Sequence, residues 1–90
     1  MQKQFTIVVY NDPGHAWGKI KRRVLKQLGI EKEISSYSYQ LRDNVYLEED
    51  CDLPVVYKAL SSTGYNIKFV EKSSNKQSRI RNYESFSPTA

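Results

Sequence analysis

Tyr37-Ser-Tyr-Gln-Leu-Arg-Asp-Asn-Val-Tyr-Leu-Glu-Glu-Asp-Cys-Asp52 is the stretch whose reading decides the fold. Tyr37, Tyr39 and Leu41 alternate before a polar turn at Arg42, Asp43 and Asn44, and Val45 and Leu47 alternate after it. That is the pattern of two strands that each bury one face, so a hairpin is expected over Ile34 to Leu41 and Val45 to Leu47. Glu48, Glu49, Asp50 and Asp52, with the single cysteine Cys51 among them, stand where the next helix should begin.

Outward from this hairpin the elements follow in both directions. Downstream, Asp52 can cap a helix, Pro54 suits its first turn, and Leu53, Val56, Tyr57 and Leu60 share one face; Gly64 ends it. Tyr65, Ile67 and Phe69 then alternate as a strand. Upstream, Phe5 to Tyr10 is apolar and β-rich, and Asn11-Asp-Pro-Gly14 breaks it with a tight turn. His15, Ala16, Trp17 and Gly18 continue that loop. From Lys19 to Leu28 the spacing of Ile20, Val24 and Leu28 predicts a first helix with cations on its far side, closed by Gly29.

The order β, α, β, β, α, β predicts a small single α+β domain over residues 1–72. Its sheet is expected to be mostly antiparallel with about four strands, both helices on one face, and a ferredoxin-like arrangement fits that order. Residues 73–90 are rich in Ser and Asn and read as a basic tail, in which Ile80, Tyr83 and Phe86 recur every three residues and are spaced to dock on the domain or on a partner.

The chain has 90 residues, 39% of them hydrophobic and 27% charged, which suits one globular domain with a thin stability margin and no room for a deep dry cavity. One cysteine cannot staple it, so a reducing cytoplasm is the expected compartment. No apolar run is long enough to span a bilayer, and Met1 to Tyr10 reads as a strand rather than a signal peptide. The net charge of +4 divides unevenly. Lys19, Lys21, Arg22, Arg23 and Lys26 form one basic cluster, Lys68, Lys72, Lys76, Arg79 and Arg81 a second, and the acids gather at residues 48–52.

Each chemical constellation has a plainer competitor. His15 beside Asp12 can serve as a general base or metal ligand, but with no second histidine the sequence favours a residue that covers one end of the core. Cys51 lies among acids that raise a thiol pKa, which makes it a poor nucleophile. The acid run lacks the alternating ligands and central glycine of a calcium loop, and acids before a helix suit its dipole. No catalytic residue, metal or cofactor is therefore assigned. The basic cluster at Lys19, Lys21, Arg22, Arg23 and Lys26 is a candidate phosphate contact, as is Arg79 with Arg81 beside Tyr83. Trp17, Tyr37, Tyr39, Tyr46 and Tyr83 are the residue types that anchor protein interfaces, with Glu48 and Glu49 at their rim.

As a set, Tyr10-Asn-Asp-Pro-Gly-His-Ala-Trp17, Leu28-Gly-Ile30, Ser36-Tyr-Ser-Tyr39, Tyr46-Leu-Glu-Glu-Asp-Cys-Asp52 and Ser78-Arg-Ile-Arg81 resemble a family of small accessory proteins carried by bacteriophages and other mobile elements. The resemblance spans most of the chain and carries no activity, cofactor or catalytic residue with it. What it implies is a protein that inhibits or redirects a host factor in the host cytoplasm by stoichiometric binding, in takeover of the host or against its defences. The expected partner is a host protein; the alternative is a regulator that binds nucleic acid or a nucleotide.

Overall fold

The β-branched run Thr6-Ile-Val-Val9, flanked by Phe5 and Tyr10, builds β1, Lys3–Asn11, in a computed structural model that describes residues 3–88. The ends of the two ranges read from the sequence, residues 1–2 and 89–90, lie outside the described residues. The backbone amide of Asp12 donates to the His15 carbonyl at 2.9 Å, which reverses the chain into β2, Ala16–Lys21. This corrects the expected loop at residues 15–18 and the expected helix start at Lys19. Ile20 satisfies a spacing of four with Val24, but it also alternates with Gly18 and Ala16, and pairing with strands on both sides decides for the extended form.

The first helix, α1, is only Arg22–Gln27, with Leu25 its buried residue. Gly29 takes φ 72°, and the Ile30 amide reaches back to the Leu25 carbonyl at 3.0 Å to close the helix end. A 3₁₀ turn at Glu31–Glu33 follows. The expected strand from Ile34 shrinks to β3, Tyr39–Leu41, and a two-residue turn leads into β4, Asn44–Glu48. Helix α2 is Leu53–Ser62, with Pro54 in its first turn and Val56 and Leu60 buried. The long strand β5, Tyr65–Ser73, a 3₁₀ turn at Arg79–Asn82 and the short β6, Glu84–Ser85, complete the chain.

These elements form one small α+β domain with a six-stranded mixed sheet in the order β5-β1-β2-β4-β3-β6. Two expectations are corrected: the sheet has six strands rather than four, and the order is not βαββαβ, because β2 precedes α1 and β6 follows β5; β1 also pairs β5 in parallel. The reason lies in the tight turn after β1. It lays β2 antiparallel along one side of β1, leaving the other side to β5, which arrives from α2 in the same direction. Both helices do lie over one face. Ile7, Val9, Ile20, Val45 and Leu47 bury there against Leu25, Val56 and Leu60. Gly18 permits this approach, since a Cβ on it would meet Leu53 Cδ1 of α2 at 2.7 Å.

The opposite face carries a second cluster, Trp17, Tyr46 and Ile80, with Tyr10, Tyr39 and Tyr83 packed on it. Residues 78–83 cross this face, and Phe86 then turns round the β3 edge into the helix-side core. Arg22 fixes that end: it pairs with Glu31 at 2.7 Å, donates to Gln40 and to the Ser87 carbonyl, and stacks over the Phe86 ring at 4.8 Å. No described helix is long and apolar enough to cross a membrane.

Candidate functional site

The turn after β1 supplies the carboxylate around which the site is built. Asp12 accepts five hydrogen bonds. The backbone amides of Gly14 and His15 each donate at 3.0 Å, the Ser78 amide donates at 2.9 Å, and the Arg81 guanidinium donates twice at 2.8 Å. Gly14 leaves room for that guanidinium, since a Cβ there would meet Arg81 Nη2 at 2.9 Å. Arg81 also lies over the Trp17 indole, 5.4 Å from its centroid. The planar fork of arginine suits both partners at once. The side chain of Asp12 is fully shielded from solvent, and the Arg81 pair, followed by the Ser78 amide, holds its carboxyl far below the usual carboxylate range.

That shift has a defined pH signature. A carboxyl held lower in the folded than in the unfolded chain adds stability that is fully present above its unfolded pKa of about 3.9. The contribution is lost as pH falls below that value toward the folded one. Asp12→Asn is therefore expected to melt well below wild type at neutral pH, and the gap between the two melting temperatures should narrow progressively as pH falls below about 4. Circular dichroism melts across the acid range measure this; a gap that stays constant would mean that the charge is immaterial.

Beside this clasp lies a cleft of about 340 Å³ between β2, β3 and the acid loop. Trp17 and Tyr39 form its wall, their ring centroids 6.2 Å apart, and His15 packs on Trp17 at 5.9 Å. Tyr37 stands at its lip, 70% exposed, and Glu48, Asp50 and Cys51 supply the acidic side. The lip is tied to the fold by hydrogen bonds. The Tyr37 amide donates to Ser35 Oγ, and that hydroxyl donates to the buried Asp52 at 2.7 Å. Asp52 also takes the Ser35 amide at 2.9 Å and the Ser38 hydroxyl. It stands at the start of α2 but makes no capping bond to it, which corrects the capping role read from the sequence. Glu48 instead accepts the amides of Asp50 and Cys51, at 2.8 and 2.9 Å.

The structure thus brings Trp17, Tyr37, Tyr39 and Glu48 together out of the residues expected to bind a partner. Glu49 is exposed in the turn beyond them, its amide bound to the Ala16 carbonyl. Tyr46 and Tyr83 lie elsewhere. Tyr46 is buried under Tyr83, with centroids 5.2 Å apart, and burial, followed by Tyr83, pushes its phenol pKa up. His15, Cys51 and Arg81 also line the cleft, and none of them was among the residues expected to bind a partner. Only the pairing of Ser78-Arg-Ile-Arg81 with the Asp12 turn, which no local spacing reveals, would have found Arg81.

The basic set divides as well. Arg22 and Arg81 are spent on the internal contacts described above. Lys21, Arg23 and Lys26 line a shallow pocket with Asp43, whereas Lys19 stands on β2 and Arg79 on the crossing turn. For chemistry the arrangement offers little. Asp12 has its oxygens filled and no proton to take; partial desolvation, then Glu48, pushes the Cys51 thiol up and away from thiolate. Among the described residues no three His, Cys, Asp or Glu side chains gather to hold a metal ion.

Comparison with protein-family models, with curated proteins and with solved structures finds no match to this chain.

Proposed function

We propose that this chain is a small accessory protein of the bacteriophage type that modulates or inhibits a host protein in the host cytoplasm by stoichiometric binding, without chemistry of its own. The observation that carries this reading is the cleft, in which an exposed Tyr37 on a loop hydrogen-bonded to Asp52 faces an aromatic wall and two carboxylates. An aromatic wall with acids at its rim suits a lysine or arginine side chain of a partner, held by the ring faces and neutralised by Glu48 and Asp50. Tyrosine on a fixed loop loses little entropy on binding, which is why it recurs as an anchor. The motif resemblance supports the bacteriophage context.

The test compares wild type with the double variant Tyr37→Ala, Asp50→Lys, both immobilised against lysate of a bacterial host. A protein retained in stoichiometric amount by wild type, and bound about thirtyfold more weakly by a variant with unchanged melting, is the expected result. A partner held equally by both, or none held by either, overturns the reading.

A further inference from the structure

The face of the sheet opposite the helices is divided by the segment that crosses it. On one side is the acidic cleft; on the other, toward β5, the face is uncovered and basic. Alternation fixes which side chains point outward there. On β1 they are Thr6, Val8 and the half-buried Tyr10, because Ile7 and Val9 go to the core. On β2 they are Lys19 and Lys21, since Ile20 is buried. On β5, Lys68 pairs Thr6, Val70 pairs Val8 and Lys72 pairs Tyr10, so the two lysines rise on the same face and Glu71 points to the other.

The result is a trough along β1 with lysines on both banks. The banks stand two strand spacings apart, roughly 10 Å, and Lys68 and Lys72 are roughly 13 Å apart along β5. No carboxylate projects into it from β1, β2 or β5. Of the acids on the same face, Asp12 is filled by Arg81 and three backbone amides, and Glu48 lies beyond Trp17 on β4, turned to the amides of Asp50 and Cys51. At its upper end the trough opens into a pocket of about 520 Å³, floored by Tyr10 and Tyr46, walled by Tyr83, and rimmed by Lys76 and Arg79. Lys72 already sits 6.0 Å from the Tyr10 ring centroid.

From this geometry we infer that the uncovered face binds single-stranded nucleic acid, its phosphates between the lysines of β2 and β5 and one base on the tyrosines of the upper pocket. Cationic banks that track a backbone, with an aromatic platform for a base, are the parts such a site needs. A width of one strand of nucleic acid rather than two follows from the spacing of the banks. The site lies apart from the protein-binding cleft and stands or falls independently of it. It relocates the phosphate contacts expected from α1: Lys19 and Lys21 contribute, Lys68 and Lys72 face them, and Arg22 is excluded by its own ion pair.

Fluorescence anisotropy with a labelled twelve-nucleotide oligo-dT and its duplex tests this in the intact protein. The single strand is expected to bind more tightly than the duplex, with a log–log salt slope of about −3 for four phosphate contacts. Lys68→Glu with Lys72→Glu should weaken it at least about tenfold and flatten the slope by about 1.4. Tyr10→Ala should weaken it by about tenfold with the slope unchanged. Lys58→Glu, the same substitution at one exposed position of α2 and half the charge change of the β5 pair, is the control and should leave the slope as it is. The inference is overturned by no binding at low salt, by a preference for duplex or for anionic phospholipid vesicles, or by Lys58→Glu acting as strongly as the β5 pair.

Discussion

A chain ended after Gln77 is expected to lose its cooperative unfolding transition altogether. The truncation removes Ile80 and Phe86, each 3% exposed, and uncovers Trp17 and Tyr46 on one face and part of the helix-side core on the other. Removing a buried isoleucine side chain costs about 2–5 kcal/mol and a buried phenylalanine about 3–5 kcal/mol. A domain of this length holds only about 5–10 kcal/mol in total. The Asp12 clasp goes with them, leaving a shielded carboxylate without its guanidinium. Thermal and urea unfolding followed by tryptophan fluorescence is the measurement, since Trp17 reports the lost cover directly. Phe86→Ala alone grades the effect, at about 3–5 kcal/mol in urea. A truncated chain that melts sharply within a few degrees of full length would show the crossing segment to be an accessory to the fold.

Asp52→Ala is the second large effect, about 3 kcal/mol or ~15 °C in melting temperature. Asp52 is 2% exposed and gathers the Ser35 amide, the Ser35 hydroxyl and the Ser38 hydroxyl. Ser38 in turn accepts the Glu48 amide at 2.9 Å, and its carbonyl takes the Phe86 amide at 2.8 Å. One carboxylate thus ties the loop before β3 to the end of β4 and, through Ser38, to the last strand. Alanine leaves buried donors unpaired, and each such group costs about 1–3 kcal/mol. Ser35→Ala is the graded companion, about 1 kcal/mol, because Asp52 keeps its other donors. If Asp52→Ala cost no more than Ser35→Ala, the network would have relaxed to water and the loop would be held by packing alone.

The helix at Leu53–Ser62, the strands around Ile7 and Val45, and the glycine ends at Gly29 and Gly64 were legible because each is written in local spacing or backbone demand. Residues 16–21 were not. Trp17, Lys19 and Lys21 alternate with Ala16, Gly18 and Ile20, but Ile20 also fits a helical period, and only neighbours on both sides settle it. The parallel pairing of β1 with β5 depends on how far α2 carries the chain, which periodicity does not encode. The cleft was half legible: aromatic and acidic residues marked Trp17, Tyr37, Tyr39 and Glu48, whereas Arg81 joins through an ion pair across 69 residues. Tyr46 read as an exposed anchor because alternation gives a strand two faces, and the segment that covers the second one comes from far along the chain.

That long reach governs when the molecule can come into being. β1 sits inside the sheet, yet its outer neighbour is β5, and the Asp12 turn that follows it waits for Ser78 and Arg81. Contacts so distant in sequence form slowly, because the intervening chain must be ordered before they repay it. On the ribosome β1 is made well before the partners that satisfy it. Folding must therefore wait until the chain through Arg81 has emerged, and until then Phe5–Tyr10 is a β-rich segment lacking its β5 neighbour, open to any chaperone or neighbouring nascent chain.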